Sequence, residues 1–357
     1  MTLRRLIHPM YRKLETIAHP LRYLFIEITQ RCNLTCRHCG SDCSSDTQLP
    51  ELTTDEWLNF FSYLKDKTDT RKMVLVITGG EPFCHPEFDR ILTGLSSQGL
   101  SWGMVTNGFA LHQDNVNRII NHGISTVTVS LDGDETTHDW LRGKKGSYRR
   151  AAAGIERLAR ANLPFLDVVT CVHPGNLDQL DEILGQLQGL GVRAWRLFSI
   201  FPKGRARENP ELLLSEDQFR QMLDFIATRR KTLAGSGFDL SFSCEGYLPK
   251  ALDQQVRDEP YFCRAGISIG SVLCDGSISA CPNISRSLIQ GNIREDDLVE
   301  VWENRFQVFR DRSWMKTAAC TKCDEWNRCQ GNSMHLWDDQ QKCTVQCTHQ
   351  VATGVPN

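Results

Sequence analysis

Three cysteines near the start of the chain, Cys32, Cys36 and Cys39, are separated by three and by two residues. They directly follow an apolar run that predicts a first strand, so all three lie on the loop at its C-terminal end. Parallel βα folds build their active sites at this end of their strands. Three thiolates on one short loop can bind three irons of a [4Fe–4S] cluster, whose full set of cysteine ligands would be four. The fourth iron would then stay open to a chelating substrate.

Zinc is the alternative to a cluster on this loop. Tetrahedral zinc needs a second pair of ligands, which Cys43 or His38 would have to supply. An open iron instead suits S-adenosylmethionine, which offers an amino group and a carboxylate. One electron passed to its sulfonium breaks a C–S bond and gives a 5′-deoxyadenosyl radical, which can abstract hydrogen from unactivated carbon. We therefore favour an iron–sulfur cluster.

The composition indicates a globular protein whose other cysteines also bind metal. The 357 residues have a net charge of -2, which gives no sustained positive field for nucleic-acid phosphates. We find neither a signal-peptide core nor an apolar run of membrane length, and we expect a cytoplasmic protein that does not bind membranes. Because cytosolic thiols stay reduced, the fifteen cysteines are better explained by metal or cluster ligation than by disulfides.

Apolar runs that alternate with helical patterns predict repeated βα units and a parallel sheet. Six strands are predicted, at residues 23–29, 73–78, 101–106, 124–131, 165–172 and 194–199. Capping boxes at Thr53 with Glu56 and at Ser215 with Gln218 predict the beginnings of two helices. An apolar stripe at positions 180, 183, 184 and 187 predicts a third helix.

Three segments follow from these patterns. Residues 1–21 form an N-terminal helical extension, in which we expect an amphipathic helix packed against the domain. Residues 22–236 form the sheet domain. Residues 237–357 contain short apolar pieces, glycine turns and eight cysteines between positions 263 and 347, which indicates a small domain held together by cofactors more than by its own core.

The stretch from Ile26 to Cys39 closely resembles the cluster loop of the radical S-adenosylmethionine superfamily, and further motifs follow in the family's order. The resemblance implies a partial (βα)6 barrel, similar to a TIM barrel and open on one side for substrate. It also implies residues that bind S-adenosylmethionine: Gly79, Gly80, Glu81 and Pro82 for its amino group, Asn107 after the third strand, Ser130 and Asp132 for its ribose, and Arg142 for its carboxylate. The physical logic agrees, because glycines allow close backbone approach and a guanidinium offers paired donors to a carboxylate.

The C-terminal cysteines resemble the SPASM extension of this superfamily, which binds one or two auxiliary [4Fe–4S] clusters. The matching residues are Cys263, Gly276 and Cys281, followed by Cys320, Cys323 and Cys329. A tight turn at Asp275-Gly276 between two short strands would bring Cys274 toward Cys263 and Cys281.

Two ligand sets are implied here, and both contain an open choice. The family has a further cysteine where this chain has Ser333, so the first cluster would use Cys263, Cys274 and Cys281 with another ligand, or be open, or be absent. The second cluster would add Cys347, which we prefer to Cys343, to Cys320, Cys323 and Cys329. A zinc ribbon or a redox dithiol is the alternative for this region.

The SPASM resemblance favours a ribosomally made peptide as substrate, with a crosslink, an oxidation or an epimerisation as outcome. Epimerisation needs a hydrogen donor, for which Cys244 and Cys84 are candidates. Dehydrogenation of a small molecule such as an aminocyclitol is a second hypothesis, and a non-catalytic iron–sulfur electron-transfer protein is a third. A flavodoxin- or ferredoxin-like protein would be the reductant.

Overall fold

The structure is a computed structural model, and it describes residues 3–47, 49–161, 163–243 and 246–354. The strands in these ranges are β1 (Tyr23–Glu27), β2 (Val74–Thr78), β3 (Trp102–Thr106), β4 (Thr126–Ser130), β5 (Phe165–Val172), β6 (Ala194–Ser199), β7 (Asp239–Phe242), β8 (Ile269–Val272), β9 (Ser277–Ser279), β10 (Gly291–Asn292), β11 (Trp337–Asp338) and β12 (Cys343–Thr344). The large sheet has the order β10-β9-β8-β1-β2-β3-β4-β5-β6-β7, and β11 pairs with β12 apart from it.

The described residues also form α-helices. They are α1 (Leu3–Ala18), α2 (Thr54–Lys67), α3 (Phe88–Ser97), α4 (Gln113–Asn121), α5 (Glu135–Arg142), α6 (Ser147–Arg160), α7 (Leu180–Gly189), α8 (Glu216–Thr232), α9 (Lys250–Val256), α10 (Leu298–Asn304), α11 (Gln307–Arg310), α12 (Trp326–Cys329) and α13 (Thr348–Thr353). In the described part of the chain, no helix has the length and apolar character that a membrane crossing requires.

The predicted α/β fold with a parallel sheet is confirmed. Strands β1 to β6 match the six predicted strands within two residues at each end, and each pairs in parallel with the next. Both capping boxes form, at the beginnings of α2 and α8. The predicted apolar stripe of α7 is buried. These elements depend on local sequence signals, which explains why they could be predicted.

The cysteine-rich segment joins the main sheet, which the sequence did not indicate. Strand β8 pairs in parallel with β1, and β7 extends the other side of the sheet beyond β6. The predicted turn between two short strands is confirmed, since β8 and β9 are antiparallel and Gly276 adopts a φ of +85°. Pieces of four residues are too short for their periodicity to show their partner strand. The proposed domain boundary after residue 236 stays a prediction.

Helix α1 is amphipathic, as predicted, but its apolar stripe does not pack against the domain. Met10, Leu14 and Ile17 are 61%, 56% and 64% exposed. The helix contacts the domain through polar side chains instead: Glu15 is buried and accepts a hydrogen bond from Arg22 at 3.0 Å. Arg12 also lies over the ring of Phe262 and donates to the carbonyl of Arg328, so the helix contacts the domain as expected, but through its polar face.

Candidate active site and cluster-binding cysteines

The cluster loop folds back on itself directly after β1. The backbone N–H of Cys32 donates to the carbonyl of Ser44 at 2.8 Å, and that of Cys39 donates to the carbonyl of Cys36 at 3.3 Å. These contacts bring the three predicted ligands together. Burial raises the pKa of Cys32 to about 12, and the nearby thiolates of Cys36 and Cys39 contribute to the rise. Iron would reverse this effect, because a coordinating thiol is deprotonated.

The donor set of this loop fits a cluster. Across the described ranges, no three His, Cys, Asp or Glu side chains converge as a single metal ion requires. A cluster makes a different demand, because each cysteine binds its own iron and the sulfurs stay apart. Three thiols on one loop satisfy that demand for three irons.

A segment after β6 clamps the cluster loop. The guanidinium of Arg205 donates from Nε to the carbonyl of Cys36 at 2.7 Å and from Nη1 to that of Cys43 at 2.9 Å. Its backbone N–H donates to the carbonyl of Cys39 at 3.0 Å. A Cβ on Gly204 would lie 2.3 Å from that same carbonyl, so the two segments touch. Sequence reasoning missed Arg205, although its place just after a barrel strand is a usable signal.

Arg205→Met should loosen the cluster. Hydrogen bonds from a charged donor contribute about 1.5–3 kcal/mol each, so loss of the guanidinium should free the loop and speed iron release to a chelator several-fold. Arg207→Met is the matched control, since Arg207 contacts Asp338 at 3.3 Å instead of the cluster loop. Iron release is followed by absorbance under anaerobic conditions. Equal rates in the two variants would show that the clamp does not hold the cluster.

The Gly-Gly-Glu-Pro motif lies against the end of β1. A Cβ on Gly80 would lie 2.5 Å from the carbonyl oxygen of Arg31, so only glycine fits there without a shift. Glu81 is fully buried, and its carboxylate accepts from Thr106 Oγ1 at 2.8 Å and from the backbone N–H of Asn107 at 2.8 Å. The carboxylate is thus occupied by protein donors. This geometry favours the backbone carbonyls of the motif as the partners of a ligand ammonium.

Glu81→Gln should flatten the pH dependence of stability. Burial raises the pKa of Glu81 to about 7, against an ordinary 4.5. The folded state therefore binds this proton more tightly than the unfolded state does. The wild type should lose on the order of 3 kcal/mol of unfolding free energy as pH rises from about 4.5 to 7.

Anaerobic urea denaturation at pH 5, 6 and 7 measures this slope. Glu87→Gln is the control, because Glu87 has a pKa lowered by its hydrogen bonds to Thr54 and Arg90. It should keep the wild-type slope. The same slope in Glu81→Gln would contradict the assignment.

A buried ion pair faces the cluster loop from the ends of β4 and α5. Arg142 Nε donates to Asp132 Oδ2 at 2.6 Å, and Arg142 Nη1 donates toward Cys36 Sγ at 3.8 Å. The other oxygen of Asp132 accepts from the backbone N–H of Cys171 at 2.8 Å. Asp132 therefore holds Arg142 beside a predicted iron ligand. Their proposed contacts to the carboxylate and ribose of S-adenosylmethionine stay predictions.

Three imidazoles surround this ion pair with unused polar atoms. His38 Nδ1, His138 Nε2 and His173 Nε2 are buried and have no hydrogen-bond partner among the described residues. Burial lowers the pKa of His38 to about 3 and that of His138 to about 4, so both are neutral at pH 7. Buried polar atoms without partners are costly, so their presence fits a site for a polar ligand such as S-adenosylmethionine. Sequence reasoning weighed His38 only as a zinc ligand and missed His173.

The remaining predicted residues lie at the same edge where they are described. Asn107 Nδ2 donates to Asn33 Oδ1 at 2.8 Å and toward Cys32 Sγ at 3.9 Å. Ser130 ends β4. Cys84 ends the short turn Pro82–Cys84, and burial raises its pKa to about 11. Cys244 lies outside the described residues.

The late cysteines form a second group. Burial raises the pKa of Cys329 to about 12, and the nearby thiolates of Cys347, Cys320 and Cys323 add to the rise. Cys347 therefore lies with all three partners of the proposed second auxiliary set. Cys343 Sγ donates to Gln341 Oε1 at 3.8 Å. A thiolate at Cys343 contributes less than those of Cys347 and Cys323 to the raised pKa of Cys320. This placement supports the preference for Cys347.

The early SPASM cysteines do not all come together. Cys263 and Cys281 line one cavity of about 440 Å³. Cys274 is fully buried beside Glu27 at the end of β1, where burial raises the pKa of its thiol and the Glu27 carboxylate raises it further. The structure therefore does not bring Cys274 to Cys263 and Cys281.

Two family models match the chain. The Radical SAM superfamily model matches residues 26–187. The SPASM model, an iron–sulfur cluster-binding domain, matches residues 263–324. The two matches fall on the sheet domain and on the cysteine-rich segment, in the order that the sequence predicted.

Known proteins share both parts of the chain. The AdoMet-dependent heme synthase of Methanosarcina barkeri is 29% identical over 327 residues, covering 87% of this chain and 90% of the relative. The PqqA peptide cyclase of Rhizobium meliloti is 25% identical over 352 residues, covering 94% and 89%. SuiB of Streptococcus suis, solved with its precursor peptide SuiA, has a TM-score of 0.69 at 15% identity, over 96% of this chain and 79% of SuiB.

These relatives are enzymes, so the alternative of a non-catalytic electron-transfer protein is set aside. The radical SAM match implies a [4Fe–4S] cluster and S-adenosylmethionine, and the SPASM match implies auxiliary clusters, as the sequence predicted. Since both family models match in their proper order on the fold that SuiB shares, this protein is an enzyme that carries a radical S-adenosylmethionine domain followed by a SPASM iron–sulfur cluster-binding domain.

Proposed function

We propose that this enzyme modifies a ribosomally made peptide, through a crosslink, an oxidation or an epimerisation. The observation that carries the proposal is the open sheet. In the described sheet β7 is the last strand on its side and pairs with β6, so its other edge is open. An opening along a sheet edge can admit an extended chain.

The comparisons support a peptide. The match to the PqqA peptide cyclase spans 94% of this chain, so it includes the cysteine-rich part. SuiB, which shares the fold, was solved with its precursor peptide. A second candidate is a haem precursor, favoured by the higher identity, 29%, to the heme synthase. The aminocyclitol alternative, the flavodoxin- or ferredoxin-like reductant and the cytoplasmic location stay predictions.

The bound cluster would supply one electron to S-adenosylmethionine, whose 5′-deoxyadenosyl radical then takes a hydrogen atom from the substrate. The protein's own part is to bind and to orient. Cys32, Cys36 and Cys39 would hold the cluster, and Arg205 fixes the carbonyls of their loop. Glu81 ties the ends of β2 and β3 together through Thr106. For epimerisation, Cys84 or Cys244 would return a hydrogen atom.

Anaerobic incubation with S-adenosylmethionine and dithionite tests the proposal. The substrates would be a short peptide encoded beside the gene and, separately, an iron porphyrin. A peptide crosslink or oxidation removes two hydrogens from the product mass, and epimerisation in D2O adds one deuterium. Either change, together with 5′-deoxyadenosine, would support the peptide proposal. Turnover of the porphyrin alone would refute it in favour of the second candidate.

A further inference from the structure

The cavity between β7 and β8 is lined by a side chain that can bind metal and that belongs to neither of the two cysteine ligand sets, His335. Its lining includes Cys263, Cys281, Ser333 and His335. Cavities of this size, about 440 Å³, hold small ligands and cofactors. Cys263 and Cys281 match cysteines of the family pattern. Two cysteines are fewer than the four that complete the ligand set of a [4Fe–4S] cluster.

Cys274 cannot complete the site. Cys281 lies two residues beyond the end of β9, and it lines the cavity together with Ile269 of β8. Cys274 lies five residues further along, at the hairpin tip. At about 3.3 Å per residue this separates it from Ile269, at the cavity, by roughly 16 Å. That distance is too long for one cluster.

Ser333, which stands where the family has a cysteine, is engaged elsewhere. It is buried, and its hydroxyl lies 3.2 Å from the phenol oxygen of Tyr261, within hydrogen-bond distance. A hydroxyl is also a harder donor than the thiolate and imidazole ligands that iron–sulfur centres use. A cluster in this cavity would therefore need a ligand from another residue.

His335 lies two residues after Ser333, on the short turn Met334–Leu336. Its Nε2 is buried and has no hydrogen-bond partner among the described residues. The ring packs against Phe201, with centroids 4.5 Å apart, so the imidazole is held in place. A buried ring nitrogen without a partner is costly, and iron is one of the metals that imidazole binds. Imidazole also replaces cysteine on one iron of Rieske clusters.

We propose that an auxiliary iron–sulfur cluster occupies this cavity, held by the thiolates of Cys263 and Cys281 and by Nε2 of His335. The three donors need not converge on one point, because each can bind a different iron, as on the loop of Cys32. The proposal concerns a cofactor site and does not depend on which substrate the enzyme uses.

The test uses the full chain with Cys32, Cys36 and Cys39 replaced by alanine, so that the bound iron reports on the C-terminal clusters. The protein is reconstituted anaerobically with 15N-labelled histidine. We expect His335→Gln to lose one cluster's iron and the 15N-histidine hyperfine coupling of the reduced protein. His335→Cys should keep the iron and lose the coupling.

Ser333→Ala is the matched control and should keep both iron and coupling. The iron held by Cys320, Cys323 and Cys329, together with an unchanged circular dichroism spectrum, shows that each variant is folded. Full iron with intact coupling in His335→Gln would overturn the proposal. So would loss of iron in Ser333→Ala, which would make the serine the ligand. Because neither readout requires turnover, they are informative even if no peptide is modified.

Discussion

Replacing Cys32, Cys36 and Cys39 together by alanine should lower 5′-deoxyadenosine formation below detection while the C-terminal iron remains. The three thiols lie together after β1, and without them no protein ligand would hold the cluster that donates the electron. The family model that matches here, residues 26–187, assigns the radical chemistry to this part of the chain. Iron analysis and chromatography of the reaction products measure the two effects separately.

Cys43→Ala is the matched control for this prediction. Cys43 is buried next to the loop, and its backbone carbonyl is held by Arg205. A cluster held by the other three thiols should survive this change with its colour and its product formation. Loss of all loop-bound metal in Cys43→Ala, or zinc in place of iron in the wild type, would contradict the cluster assignment and favour a four-ligand zinc site.

Asp132→Asn should destabilise the protein and disturb the active site at the same time. The change leaves the guanidinium of Arg142 buried without its counter-charge, and breaking a buried pair in this way typically costs 3–5 kcal/mol. Arg142 also donates toward Cys36 Sγ, so a shift of the guanidinium should alter the cluster. We expect a lower Tm, an altered electron paramagnetic resonance signal and at least tenfold slower turnover.

Asp167→Asn separates the two effects. Asp167 is a buried carboxylate on β5 that accepts from Arg196 Nε at 2.5 Å and from Thr128 Oγ1 at 2.6 Å. It resembles Asp132 in burial and pairing, but its partners lie on β4 and β6, and Arg196 lines the cavity between β7 and β8 instead of facing the cluster loop. Its loss should lower Tm and leave the signal of the cluster on Cys32, Cys36 and Cys39 unchanged. If Asp132→Asn also changes only the Tm, the ion pair is merely structural.

The active-site loop could be predicted because its information is local. Three cysteines within eight residues identify the ligand set, and short apolar runs identify β1 to β6 within two residues. Helix capping is equally local, since the Thr53 box is closed by Glu56, three residues away. For α1 the same reasoning predicted a helix against the domain but not which face contacts it, because a hydrophobic stripe does not show what covers it.

Contacts between distant segments could not be predicted in this way. Arg205 holds the carbonyl of Cys36 from 169 residues away, and nothing in the spacing of either segment specifies the other. The opposite case also occurs, in which residues close in sequence lie apart. Cys274 is separated from Cys263 and Cys281 because the pairing of β8 with β9 puts it at the hairpin tip. Proximity in sequence is therefore a poor guide to ligand sets where the chain runs along a strand.

Residue types and their spacing were enough to predict a three-cysteine loop after a first strand, a parallel βα sheet and a cysteine-rich C-terminal segment. These features depend on residue type and short-range spacing. Three contacts became visible in the folded chain alone: β8 pairs with β1, Asp132 holds Arg142 beside Cys36, and His335 lines the cavity of Cys263 and Cys281. Such contacts depend on the register and packing of the whole sheet, which no local pattern encodes.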